Sequence, residues 1–419
     1  MPDPSRPPNL RLTGLCNRIS IVTDNQPQAA YVLVELRSES ETTLPANLAI
    51  ITDSGRQLGG KAWESVKTAI CELIDTLQPE DHLALVNLAI PPQVVIPAQK
   101  VENPAGFKDL VKSLATSGVG SLTAGIEEAT RQLQSKLSPE RASFLLVVLS
   151  RAYTDEWETV SHAARQARAL GIHVLGLGAG NEWNEELLSN LINLPDAETS
   201  PQMPTLVQYA PEAGALSGLM KYFARTIRVT LRDARLSAWF MRGVKLKQIW
   251  QVRPNISCLG TEFFQGQSIS APVKLLDQNS LSLLVDIELP PRSIGPVRIA
   301  RLQVHSPTET GQNELAGLDL VVNYSQDTSM TNPLDNYVMD HVERVQAYDL
   351  RIQALADLDA GNVQASAQKL RQATAILASQ GNTTLADRIR GEVDFNLRQY
   401  GQISSEGRKF IALLGRQPA

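Results

Sequence analysis

Three stretches of the chain, residues 47–52, 143–149 and 172–177, are short, almost wholly apolar and rich in β-branched residues and leucine. A strand that is apolar on both faces must be covered on both faces, as in a parallel sheet flanked by helices. Helical periodicity fills the intervals: 61–77, 107–114, 122–137 and 157–170, then 185–194 and 211–224. Residues 82–88 read as a further strand and 93–96 as a short one. Strands alternating with amphipathic helices predict an α/β domain with a doubly wound, mostly parallel sheet.

The flanks read differently. Residues 18–22 and 30–36 are strands around the turn-like Asp24-Asn25-Gln26-Pro27, and 244–250, 281–289, 297–304 and 318–323 alternate as half-buried strands do. The later set predicts a β-sandwich. The N-terminal strands have no sheet of their own, so they are expected to join it, which makes the α/β domain an insertion. After residue 331 the pattern is helical: 337–358, 363–379, 385–400 and 408–414, with Gly361-Asn362 and Gly381-Asn382 as turns. The expected domains are a disordered 1–9, sandwich strands 10–45, the α/β domain 46–225, the sandwich 226–330 and a helical domain 331–419.

Composition narrows the function. The net charge of -5 over 419 residues gives no electrostatic reason to expect nucleic acid or an anionic membrane as partner. Cys16, Cys71 and Cys258 are far apart and the five histidines form no H-x-x-x-H, so neither a disulfide framework nor a Cys/His metal site is suggested. The Pro-rich start lacks the apolar core of a signal peptide, and no apolar run reaches the roughly 18–20 residues that span a bilayer. The expected location is the cytoplasm.

The loops at the carboxyl ends of the strands are where open α/β sheets place ligands. The first reads Asp53-Ser54-Gly55-Arg56-Gln57-Leu58, the middle one Gly118-Val119-Gly120-Ser121-Leu122, and the strand ending in Leu149 continues Ser150-Arg151-Ala152-Tyr153. With Gly176-Leu177-Gly178 and Trp183 further on, this order resembles a von Willebrand factor A (VWA) domain. That family carries D-x-S-x-S in the first loop, a Thr in the second and an Asp in the third. Together they form a metal-ion-dependent adhesion site, whose hard cation needs anionic and hydroxyl oxygens. Here Asp53 is kept, Gly55 and Gln57 replace the serines, Gly120 replaces the Thr, and Ser150 replaces the Asp. The resemblance therefore implies a VWA fold with a degenerate site. A shifted pairing leaves Asp53, Ser54, Ser121 and Ser150 as weak metal candidates.

Two other patterns fall on or near these loops. Gly55-Arg-Gln-Leu-Gly59-Gly60-Lys61-Ala62 is one residue short of a phosphate-binding P-loop, lacking the hydroxyl that ligates Mg²⁺. Gly176-Leu-Gly178-Ala-Gly180 is a fragment of a dinucleotide fingerprint without its third glycine or its distal acid. Ser150 lacks the G-x-S-x-G setting of a nucleophile and an identifiable histidine. Trp157, Trp183, Trp239 and Trp250 read as core or contact aromatics.

The domain order also resembles a group of bacterial VWA proteins with N-terminal strands, a sandwich and C-terminal helices carrying A-L-x-x-L-x-x-G-[DN]. In this chain that motif is Ala354-Leu355 to Gly361-Asn362, similar to one tetratricopeptide-like hairpin. The resemblance implies a non-catalytic interaction or scaffold protein binding a protein partner, with no cofactor. Arg56, Gln57, Ser121, Ser150, Arg151 and Tyr153, around Asp53, are the candidate partner-binding residues. The alternatives are a Mg²⁺-dependent VWA binder with an unorthodox site and a P-loop-like nucleotide-binding protein.

Overall fold

Residues 46–52, Ala-Asn-Leu-Ala-Ile-Ile-Thr, are buried at every position, which is possible only for a strand in the middle of a sheet covered on both sides. The computed structural model describes residues 9–23, 26–40, 42–54, 59–116, 120–192, 194, 207–210, 213–261, 263–276, 280–308 and 311–413. Two compact units divide the chain: residues 43–229, and residues 1–42 together with 230–419. The expected disordered N-terminus, residues 1–9, falls outside the described residues save Asn9.

The chain begins in the second unit with β1 (Leu10–Cys16), β2 (Ser20–Val22) and β3 (Gln28–Ser38). The inserted unit follows with β4 (Ala46–Thr52), β5 (His82–Asn87), β6 (Gln93–Lys100), β7 (Ala142–Arg151), β8 (Ile172–Glu182) and β9 (Val207–Ala210). Its helices are α1 (Gly59–Asp75), α2 (Pro104–Ser113), α3 (Leu122–Gln134), α4 (Trp157–Ala169), α5 (Glu185–Ile192) and α6 (Ala213–Thr226). The sheet order is β6-β5-β4-β7-β8-β9, and every pair is parallel except β5 with β6. The expected short strand at 93–96 is thus a longer antiparallel edge. The chain moves from β4 outward to β5 and β6, then returns to β7 on the other side of β4. The crevice between β4 and β7 is therefore the topological switch point.

Glycines set helix-to-sheet distances here. A Cβ on Gly178 would lie 2.0 Å from the Trp183 ring, and one on Gly176 would press on Leu188 and Ile192. Gly176 and Gly178 of the fingerprint-like run thus serve packing of α5 and Trp183 on β8. At the opposite, amino end of the sheet, buried Asp81 accepts from the backbone N–H groups of Ala46 (2.7 Å) and Gln78 (2.8 Å) and from Arg228 (2.7 Å). The backbone N–H of Leu44 meets the carbonyl of Val229 at 2.7 Å, where the inserted chain enters and leaves.

The second unit resumes with β10 (Leu231–Phe240), β11 (Lys245–Arg253), β12 (Ser257–Gly260), β13 (Phe264–Gln265), β14 (Ser268–Leu276), β15 (Leu281–Leu289), β16 (Gly295–Thr308) and β17 (Gly311–Ser325). Two sheets form, β1-β3-β15-β11-β12 and β13-β14-β10-β16-β17-β2. The N-terminal strands join them as expected: β3 pairs antiparallel with β15, and β2 pairs parallel with β17. The α/β domain is an insertion into a β-sandwich. Gly14 on β1 marks how closely the sheets approach, since a Cβ there would lie 2.7 Å from Leu302 on β16.

Helices α7 (Thr328–Thr331), α8 (Asn336–Asp359), α9 (Val363–Ser379), α10 (Thr383–Gly391), α11 (Arg398–Tyr400) and α12 (Ser405–Leu413) complete the unit. Asp335 caps α8 by accepting from the Val338 N–H at 3.0 Å. Helix α8 lays Val338, Val342, Val345 and Tyr348 on Leu33, Trp250, Val252 and Leu284 of the first sheet. The expected single helix at 385–400 is instead α10, a π-helical turn over Glu392–Leu397, and α11. Glu392 accepts from the backbone N–H (3.0 Å) and hydroxyl (2.7 Å) of Ser404, binding the wide turn to the start of α12.

Candidate functional site

The switch-point crevice holds the predicted residues. Asp53 follows β4, and the end of β7 brings Ser150 and Arg151 beside it. Asp53 is 1 % exposed, Ser150 and Arg151 5 %, and Tyr153 8 %. The Asp53 carboxylate accepts from the Ser150 N–H at 2.9 Å, from the Ser150 hydroxyl, and from the Tyr153 hydroxyl at 3.1 Å. Arg151 Nε lies 4.0 Å from it, and the guanidinium stacks 5.0 Å from the Tyr153 ring centroid. Burial pushes the Asp53 carboxyl up, while the Ser150 and Tyr153 bonds and the Arg151 charge act against that rise. Burial and the adjoining carboxylate push the Tyr153 hydroxyl up, so it stays a donor. Arg151 Nε and Nη2 are buried without hydrogen-bond partners among the described residues, so the guanidinium neutralises Asp53 through charge more than through directed bonds.

Ser121 joins a different carboxylate. It caps α3 by accepting from the Ala124 N–H at 3.2 Å and donates to Asp155. Asp155 also accepts from the Thr123 N–H at 3.2 Å, occupying the amino end of α3. Burial opposes its ionisation, but the Ser121 hydroxyl and the N–H groups of Thr123 and Leu122 outweigh it and hold the carboxyl below the usual range. Asp155 was missed from sequence because it stands in a polar stretch that reads as a cap for α4.

The structure therefore gathers Asp53, Ser150, Arg151 and Tyr153 into one network and Ser121 into another. Ser54 is fully buried beside Asp53. Arg56 and Gln57 lie outside the described residues, as does the first half of the P-loop-like run, residues 55–58; Gly59 and Gly60 open α1.

The donor set among the described residues does not fit a hard cation. Mg²⁺ wants carboxylate and hydroxyl oxygens free to turn toward it. Here the lone pairs of Asp53 face donors of the chain itself and a guanidinium stands beside it. Gly120 cannot be replaced in place by the missing threonine: a Cβ there would lie 2.5 Å from the Ala89 carbonyl oxygen and 2.6 Å from its nitrogen. Among the described residues no group of three or more His, Cys, Asp or Glu side chains is placed to hold a metal. Nor does a nucleophile emerge among the described residues. The Ser150 hydroxyl is given to Asp53, and the histidines sit elsewhere, His82 against Asn47, His162 against Gln166 and His341 against Tyr337.

Fold and loops together define a von Willebrand factor type A domain, and the family model of that description matches residues 47–210. A second model, the Sll0103-like C-terminal alpha-helical domain, matches residues 336–418, so the chain carries a VWA domain followed by a Sll0103-like C-terminal helical domain. A curated relative, "Uncharacterized protein sll0103" of Synechocystis, is 24 % identical over 83 % of this chain and 82 % of its own length. Among solved structures, a von Willebrand factor type A protein from Catenulispora acidiphila superposes with a TM-score of 0.74 at 15 % identity, covering 99 % of this chain and 98 % of that one. The ArnB paralog VWA2 of Sulfolobus acidocaldarius gives 0.50 at 12 % identity over 96 % and 98 %. At these identities the solved structures speak for the fold. VWA domains are in general interaction modules rather than enzymes. No helix among the described residues is long and apolar enough to cross a membrane.

Proposed function

We propose that this chain is a non-catalytic interaction or scaffold protein whose VWA loops bind a protein partner without a bridging metal. The state of Asp53 carries the reading. Its carboxylate is taken up by Ser150, Tyr153 and Arg151, so a cation would have to break those contacts and sit beside a guanidinium. In this proposal Asp53, Ser150, Arg151 and Tyr153 hold the loops in shape and Ser121 belongs to the rim, while Arg56 and Gln57 remain partner-contact candidates by sequence.

Two exposed apolar residues supply anchors on the same end of the sheet. Ile90, in the loop after β5, is 83 % exposed, and Trp157, at the start of α4, is 38 % exposed. Tryptophan is favoured at the centre of protein interfaces. The helical region offers a second surface, where the exposed rings of Phe395 and Tyr400 lie 6.2 Å apart. A cytoplasmic setting is supported by the three free thiols, of which Cys258 is exposed. The mild negative charge supports a protein partner over nucleic acid or an anionic membrane.

Affinity capture with the full chain tests this. Capture that persists in EDTA and is lost in Ile90→Ala/Trp157→Ala supports the reading. Capture abolished by EDTA and restored by Mg²⁺ assigns a metal-dependent binder instead. Capture untouched by the double substitution moves the partner surface elsewhere, with Phe395→Ala/Tyr400→Ala as the next variant.

A further inference from the structure

Within the sandwich unit, a cavity of about 120 Å³ opens between the outer face of the β3-β15-β11 sheet and α8. It has room for about four water molecules. Strand register explains its shape. Tyr31, Asp286 and Gln248 form one row across the three strands, and Leu33, Leu284 and Trp250 form the next. Val342, Val345 and Tyr348 of α8 close on the second row. Beyond them the first row is left open, with Asp349 on the helix side.

The chemistry of the lining is selective. Asp286 is half-buried and has no hydrogen bond or ion pair among the described residues. Lys247, the cation whose field reaches it, lies 3.6 Å from Glu288. Asp349 contributes a second carboxylate, oriented by Gln353 at 2.7 Å. Tyr31 and Trp250 give the cavity aromatic walls. An anion would be repelled by the two carboxylates. A neutral guest would leave Asp286 unpaired in a partly desolvated position. The described residues place no third His, Cys, Asp or Glu there to complete a metal site. A small organic cation satisfies both features, since its charge meets the carboxylate and its carbon surface meets the rings.

We propose that this cavity binds an alkylammonium group, with Asp286 as the charge partner and Trp250 and Tyr31 as the aromatic walls. The group can belong to a free small cation or to a lysine side chain, and the probes separate the two.

The full chain, labelled with ¹⁵N, is titrated with choline, with methylammonium and with N-acetyl-lysine methylamide while the indole N–H of Trp250 is followed, assigned by its loss in Trp250→Phe. The neutral choline isostere 3,3-dimethylbutan-1-ol is the control. At least one ammonium probe is expected to give a saturable shift, and the isostere to bind about ten-fold more weakly or not at all. Preference for choline assigns a small-molecule cation; preference for the lysine amide assigns a protein side chain. Asp286→Asn is expected to weaken binding about ten-fold. Gln346→Trp, at an exposed position on the rim, is expected to block it without touching the charge. No saturable shift with any ammonium probe, equal binding of the isostere, or binding unchanged in both variants would overturn the proposal.

Discussion

Replacing Gly120 by threonine restores the residue that the family's metal site uses, and it is expected to damage this domain rather than equip it. A Cβ at Gly120 would stand 2.5 Å from Ala89 O, 2.6 Å from Ala89 N and 2.7 Å from Leu88 C. Real Cβ atoms essentially never come within 3.0 Å of a heavy atom outside their own residue and its chain neighbours. All three neighbours are backbone atoms of Leu88 and Ala89, so none can rotate away as a side chain would. Overpacking with movable neighbours costs about 1–3 kcal/mol, and a backbone clash belongs at the top of that range, about 3 kcal/mol. For a unit of this size each kcal/mol lowers the melting temperature by about 2–4 °C, giving a fall of roughly 6–12 °C. Scanning calorimetry of the full chain is the assay, because two units need not melt together. Gly120→Ala should show a smaller fall in the same transition. A Gly120→Thr protein that melts within about 2 °C of wild type, or that becomes stabilised by Mg²⁺, would refute the closed-loop geometry.

Other perturbations test neighbouring parts of the account. Burial, with Arg253 and Arg344 adding to it, pushes the His341 imidazole down to about 4. Between that value and the ordinary 6.5 the unfolded chain binds more protons than the folded one. Stability is therefore full above about 6.5 and declines toward pH 4, by up to about 3 kcal/mol. Urea unfolding across that range should show the slope in wild type and lose it in His341→Gln; equal slopes would contradict the assignment. Arg228→Met strands the buried Asp81 charge and should cost about 3–5 kcal/mol, much of it recovered in the double variant with Asp81→Asn. Simple additivity of the two changes would show the pair is uncoupled. Tyr153→Phe removes one donor from Asp53 and should cost about 1–2 kcal/mol by denaturant melts, with no change indicating that the hydroxyl bond does not hold the loop.

Much of the architecture was legible because it depends on local pattern. The almost wholly apolar centres of β4 and β7 announce a covered parallel sheet, and the switch to alternating strands on either side announces the insertion. What escaped depends on side-chain direction or distant partners. Arg151, at the end of a strand, reads as a partner-facing residue, yet it is buried beside Asp53. Asp155 reads as a cap for α4 but spends its carboxylate on α3, more than thirty residues earlier. The widened turn at Glu392–Leu397 leaves hydrophobic spacing nearly unchanged, so periodicity cannot separate it from an ordinary helix. The degenerate loops gave the missing ligands by inspection. That Gly120 has no space for a side chain follows only from how the folded chain brings Leu88 and Ala89 against it.

Isothermal titration of the full chain with Mg²⁺, repeated with Mn²⁺ and followed by melting in Mg²⁺ and in EDTA, bears most directly on the metal-independent site. The account predicts no saturable heat and superimposable melts. A cation bound at about 100 times its dissociation constant would add roughly 2.7 kcal/mol to stability, an effect calorimetry resolves easily. Saturable Mg²⁺ binding that stabilises the wild-type protein and disappears in Asp53→Asn would contradict it.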